Sequence, residues 1–312
     1  MPDEDTTGRV GLSTGSIVAP LLTLSLLFIF WRIGQKWLAI PVILAVILYY
    51  ALIPKLVKSR AALFHREALR LLSFGKPEQV PALAKRNLLL QLFGRSGPID
   101  AKLGLAYAQI GDFARAVPSL ENALDSAPAS ERPALEAALA KALFVTGDPA
   151  RAEKVGRDLL RRGTRLPEPI AVVARSRVGL GKIDDTTRSL IEEAGSLSPD
   201  KDVELMLALT RIEAEIATGR RVSDPPPDAD SEQRFVRTWI HYVRGLVREH
   251  RGNPQGAAES YSRAEREGRD EFCWFAGLAH ERLDRLARNS SEPANADTAL
   301  DPALRRKKRK KR

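Results

Sequence analysis

Leu103-Gly-Leu-Ala-Tyr-Ala-Gln-Ile-Gly-Asp-Phe-Ala-Arg-Ala-Val-Pro-Ser-Leu-Glu-Asn-Ala-Leu-Asp-Ser-Ala-Pro128 decides the fold. It reads as two short helices joined at Gly111-Asp112. Leu103, Gly104 and Tyr107 lie on the first helix. Ala116, Leu120, Ala123 and Leu124 lie on the second, and Pro128 stops it. Small residues at Gly104, Ala116 and Ala123 let two helix backbones approach closely, while Leu103, Tyr107 and Leu120 fill the gaps between them. One hairpin of this kind cannot bury its apolar face alone, so it demands neighbours.

The neighbours are visible as glycines at the turn position: Gly75, Gly111, Gly147, Gly181, Gly219 and Gly252, spaced by 36, 36, 34, 38 and 33 residues. Asp112, Asp148 and Asn253 follow three of them as caps for the next helix, and Pro77, Pro149 and Pro254 suit a first helical position. Leu139-Ala140, Leu143, Ala152 and Leu159-Leu160 repeat the small-and-large pattern around Gly147; Gly245, Ala257, Tyr261 and Ala264 repeat it around Gly252. Around Gly181, Thr186 and Glu193 stand where alanine is expected, and around Gly75 Val80 and Asn87 do. The pattern resembles the tetratricopeptide repeat (TPR), whose period is near 34. The resemblance implies an all-α fold, a TPR-like helical-hairpin solenoid, over residues 59–289.

After Gly219 the pattern fails. Three consecutive prolines, Pro225–Pro227, cannot continue a helix, so 221–231 is expected to replace a second helix by a loop. Residues 271–288 read as a capping helix, with Phe272, Phe275 and Leu278 toward the last repeat and Arg282, Asp284 and Arg285 in solvent.

Upstream of the array, residues 1–10 are polar and 11–58 read as a transmembrane hairpin with spans at about 13–31 and 37–54. Both spans are uncharged, and Arg32 and Lys36 sit in the turn between them. Each is long enough, at about 1.5 Å per residue, to cross roughly 30 Å of hydrocarbon. A single helix over 17–53 would be on the order of 55 Å and would place Arg32 and Lys36 mid-membrane. Trp31 and Trp37 mark one interface and Tyr49-Tyr50 the other. A cleaved signal peptide fits poorly, because the leading segment carries Asp3, Glu4 and Asp5. Six basic residues (Arg9, Lys55, Lys58, Arg60, Arg66, Arg70) flank the outer ends against two in the turn, so both termini are expected in the cytoplasm. The preference for Ala, Arg, Leu and Asp suggests a high-GC bacterium, and hence its inner membrane.

The net charge of +10 is misleading as a property of the fold. The last eight residues, Arg305, Arg306, Lys307, Lys308, Arg309, Lys310, Lys311 and Arg312, are all basic, which leaves +2 for the rest. Residues 290–312 read as a disordered basic tail. Near a membrane, anionic lipid headgroups are its first expected partner, at about 1 kcal/mol per charge. Nucleic acid or the ribosome ranks behind lipid.

No chemistry stands out. His65, His241, His250 and His280 form no zinc-ligand spacing, no phosphate loop is present, and the adjacent pairs Glu192-Glu193 and Asp184-Asp185 are not catalytic dyads. The lone Cys273 excludes an internal disulfide and reads as a small core residue. No enzyme activity, cofactor or metal is expected. By the TPR resemblance, the inner face of the array would carry the binding chemistry. Lys141, Phe144, Trp239, Tyr242 and Leu246 are the candidate lining of a groove for an unidentified protein partner, with the aromatics as anchors. Ala101 and Leu105 occupy positions where carboxylate-clamping members of the family carry Lys and Asn, so that kind of clamp is not expected. The resulting expectation is a membrane-anchored, non-catalytic scaffold at the cytoplasmic face. An envelope assembly or biosynthesis factor is the nearest alternative, since the layout alone also resembles bacterial proteins associated with late haem synthesis.

Overall fold

A computed structural model describes residues 39–87, 96–197, 199–222, 233–269 and 273–291, with Ser25, Arg32, Leu90, Leu92 and Ser231 as single positions. The described residues form twelve α-helices and no strand. They are α1 (Ala39–Ser73), α2 (Val80–Arg86), α3 (Ser96–Ile110), α4 (Phe113–Leu124), α5 (Arg132–Val145) and α6 (Pro149–Arg161). There follow α7 (Pro167–Gly179), α8 (Asp185–Ser196), α9 (Lys201–Ala217), α10 (Arg234–His250), α11 (Pro254–Gly268) and α12 (Trp274–Ser291). The all-helical hairpin array expected from the repeat pattern is present.

The turns explain the period. All six spaced glycines have positive φ, between 66° and 91°. At Gly147 the turn works as follows. The Gly147 N–H donates to the Phe144 carbonyl at 3.2 Å and the Asp148 N–H to that of Leu143 at 2.9 Å, which closes α5 with a left-handed residue that only glycine adopts without penalty. Asp148 then starts α6: its carboxylate accepts from the Arg151 N–H at 3.0 Å and Pro149 takes the first helical position. Asp112 and Asn253 cap α4 and α11 in the same way, at 3.2 and 2.9 Å.

The chain divides into two compact units. One takes in α1–α3 and Pro118–Ala129; the other takes in Gly111–Val117 and the described residues from Ser130 on. In the first unit, Phe64, Ala68, Val80, Ala84, Leu90 and Ala106 form the core, edged by Leu71, Leu83 and Leu103. Val80, too large for the repeat pattern, is fully buried there. Gly104 faces Leu120 so closely that a Cβ would lie 2.7 Å from its side chain, the close approach inferred from the small residue at this position.

Three expectations need correction. Among the described residues no helix is long and apolar enough to cross a membrane, so the hairpin expected over 11–58 is not found among them. Apart from Ser25, the first expected span lies outside the described residues. The second does not stop near residue 54: α1 runs unbroken through Pro54 to Ser73, where it supplies the first helix of the Gly75 hairpin. A boundary at 58/59 is therefore absent from the backbone. Around Gly181, the buried small positions are Thr187 and Ala194, not Thr186 and Glu193. The turn there is one residue longer: buried positions fall 5, 9 and 12 residues after Gly111, Gly147 and Gly252, but 6, 10 and 13 after Gly181. Finally, Arg282 is half-buried and donates to Glu249 at 3.2 Å rather than standing in solvent, because α12 packs along α10 and α11.

The second unit has an apolar core in which Leu160, Ile170, Val173, Ala174, Ile191, Val203 and Leu207 join α6 to α9. Burying each of the larger residues contributes about 1.5–3 kcal/mol. A polar seam runs beside it. Arg177 donates to Glu153 at 2.9 Å, to Thr187 at 2.9 Å and to Asp184 at 2.6 Å, while Lys182 adds a second ion pair to Glu153 at 2.8 Å. Burial raises the Glu153 carboxyl, but Lys182, Arg157 and Arg177 outweigh it and hold the pKa below the usual range. The Pro-rich break lies mostly outside the described residues, as do the last twenty-one residues; the helix itself extends to Ser291.

Candidate protein-binding groove

The first helices of the second unit bring aromatic side chains together, and the space between them is filled. Phe144 comes from α5, Arg175 from α7, Glu213 from α9 and Trp239 from α10. The first turn of α12 inserts Trp274 and Phe275 among them. Trp239 stacks on Phe275 with ring centroids 4.8 Å apart and planes 5° from parallel. Phe144 meets Trp239, Trp274 and Phe275 edge-on at 5.7, 6.1 and 5.7 Å. Room for Trp274 comes from two missing side chains: a Cβ on Gly147 would lie 3.1 Å from the indole, and one on Gly179 would lie 2.8 Å from it.

At the centre is a cation. The Arg175 guanidinium carbon lies 5.3–5.8 Å from the centroids of Phe144, Trp239, Trp274 and Phe275. Its side chain is 2% exposed, and Nη2 donates to the 9%-exposed Glu213 carboxylate at 2.6 Å. The other Glu213 oxygen accepts the Trp239 indole N–H. Among the described residues Arg175 Nε and Nη1 have no hydrogen-bond partner. A buried cation is tolerated here by one carboxylate and four ring faces, each attractive to positive charge. Burial pushes the Glu213 carboxyl above the usual carboxylate range, against the pull of Arg175 and the Trp239 hydrogen bond.

The five residues expected to line the groove are placed as follows. Phe144 and Trp239 are fully buried, and Tyr242 and Leu246 nearly so. Tyr242 tilts against Tyr261 and Phe275, and burial, then the nearby Glu213 charge, push its hydroxyl up to about 12. Lys141 is bonded to Glu168 at 2.6 Å and lies 5.5 Å over the Phe235 ring. All but Lys141 and Leu246 are brought into one cluster with Phe275, and the aromatic surface they offer is taken by α12. The candidate tail, Arg305 to Arg312, lies outside the described residues.

Arg175, Glu213 and Trp274 were missed. Arg175 and Glu213 sit 38 residues apart, close to the period, but a long polar side chain at a repeat position reads as surface until its partner is known. Cys273 is buried, as its neighbours suggested. Among the described residues no group of His, Cys, Asp or Glu side chains is arranged to hold a metal.

Comparison with known proteins agrees with the helical-hairpin architecture. A family model described as tetratricopeptide repeat matches residues 101–167, from within α3 through α4, α5 and α6 to the start of α7. No curated protein and no solved structure matches the chain. Over residues 101–167 the chain is thus similar to the tetratricopeptide repeat family.

Proposed function

We propose that the protein is a non-catalytic scaffold, anchored in the inner membrane of a bacterium and presenting its helical array to other proteins at the cytoplasmic face. Tetratricopeptide repeats generally mediate protein–protein interactions, and their domains are typically non-catalytic. The observation that carries the anchoring is the pattern of charge. Residues 13–31 and 37–54 contain no charged side chain, and basic residues crowd the outer flanks. Support for the basic tail as a lipid contact is its eight consecutive cations on a chain held near anionic headgroups.

The test is fractionation with protease mapping. The full-length protein should pellet with membranes and resist alkaline carbonate extraction. Protease added outside spheroplasts should leave the array intact. Recovery in the soluble fraction refutes the anchor, and digestion of the array from outside refutes the orientation.

A further inference from the structure

Among the described residues of the second unit, each first helix is covered by the second helix of its own hairpin, with one exception. α9 ends like the others: the Gly219 N–H donates to the Ile216 carbonyl at 3.0 Å and the Arg220 N–H to that of Glu215 at 2.9 Å, with Gly219 at φ 68°. The chain is thus turned back where a second helix would follow, and residues 223–230 lie outside the described residues. The next described helix, α10, packs onto α9 as a first helix does. The flank of α8 and α9 where a second helix belongs carries a cleft of about 230 Å³.

The cleft has an apolar floor and charged edges. Ile183 and Ile191 line it from the α8 side, and Ala214 and Thr218 from the α9 side. Arg211 and Arg220 stand at its edge. Neither side chain makes an ion pair or a hydrogen bond among the described residues, whereas the neighbouring Arg188 is held by Asp185 at 2.8 Å. Glu192 and Glu215 also line the cleft.

We infer that this cleft docks an amphipathic α-helix from a partner protein, apolar on one face and carrying carboxylates that reach Arg211 and Arg220. A helix is the shape that fits, because the second helices of the other hairpins, α4, α6, α8 and α11, supply 12 to 15 residues at the equivalent place. Arg211 lies on α9 and Arg220 beyond its end, past the Gly219 turn, so the matching carboxylates belong at separate points along the incoming helix. Acidic charge is favoured because two exposed guanidiniums that make no ion pair among the described residues repel a basic segment, which disfavours the chain's own Arg305–Arg312 as occupant. This assignment rests on the scaffold reading and names one surface of it.

The experiment uses the full-length protein and a fluorescein-labelled 15-residue helical peptide with Leu and Ala along one face and Glu on its flanks. A twin peptide with Lys in place of Glu is the control. Anisotropy should show binding of the acidic peptide only. The double variant R211E/R220E should weaken that binding at least tenfold and should bind the Lys peptide instead. Ala214→Trp, which fills the floor, should abolish binding with an unchanged circular dichroism spectrum. Absence of binding, or binding indifferent to these charge swaps, overturns the assignment. Two other occupants would overturn it as well. Self-association that dissolves in R211E/R220E, seen by light scattering, would place a second copy in the cleft. Binding that appears only after Asp224, Asp228 and Asp230 are changed to Asn would place the chain's own segment there. Membrane recovery does not depend on the cleft, so failure here and failure of the anchored-scaffold reading are separable.

Discussion

Removing the Glu213 carboxylate should be the most damaging polar substitution in the second unit. In Glu213→Ala, Arg175 keeps its charge and its place among four aromatic rings but loses the hydrogen bond made by Nη2, while Nε and Nη1 have no partner among the described residues. The Trp239 indole N–H loses its acceptor at the same time. Breaking a buried pair from one side costs about 3–5 kcal/mol, because the remaining charge stays desolvated. Cation–π attraction of about 0.5–2 kcal/mol per favourable ring is present before and after, so it does not offset the loss. The apolar double substitution R175M/E213L removes both charges and keeps similar volume, and it should recover stability to within about 1–2 kcal/mol of the original protein. Urea unfolding followed by tryptophan fluorescence reads this directly, because Trp239 and Trp274 border the pair. With a slope of about 2 kcal/mol per molar, the midpoint for E213A should fall by about 1.5–2.5 M. A fall of less than about 0.5 M, or a double variant no better than E213A, would mean that the guanidinium finds water, and the reasoning from burial fails.

Two further outcomes test the packing and the electrostatics. Gly245→Ala should destabilise by about 1–3 kcal/mol in the same urea assay, although alanine is the better helix former, because a Cβ there overlaps the buried Tyr261 ring; Gly195→Ala, with open space around it, should be neutral or slightly stabilising. The Asp184 carboxyl, which accepts from the Thr187 N–H and from Arg177, titrates at about 2 against an ordinary 3.8. A lowered carboxylate adds stability above its unfolded value and loses it as pH falls, so its contribution should be complete above about pH 4 and vanish toward pH 2. Carboxyl NMR titration checks the midpoint, and Asp184→Asn should flatten that part of the acid-unfolding curve.

The repeat architecture was legible because its signal is local. A glycine at a left-handed turn, a capping Asp or Asn and a proline at the first helical position act within four residues, as Gly147, Asp148 and Pro149 do. The one-residue insertion after Gly181 escaped because the glycine intervals already vary from 33 to 38, so the 38 residues from Gly181 to Gly219 do not single out one added residue in the turn. What fills the groove escaped for a different reason. Trp274 and Phe275 meet Phe144 across 130 and 131 residues of chain, and no spacing rule connects the start of a terminal helix with the third hairpin of an array. Phe144 and Trp239 lie against each other on first helices, and their burial is a property of what packs onto them.

The unbroken course of α1 has a mechanical consequence. Its 35 residues amount to about 52 Å at 1.5 Å per residue, and its second half is clamped to α2 and α3 through Phe64 and Ala68. With no loop between the two halves, α1 behaves as a drive shaft: twist or tilt imposed near Ala39 reaches the first hairpin as torque instead of being absorbed by a joint. The one compliant point is Pro54, where the ladder lacks a hydrogen bond. Whatever sets the orientation of the first half of α1 therefore also sets the orientation of the Gly75 hairpin, at a stiffness that a single proline determines.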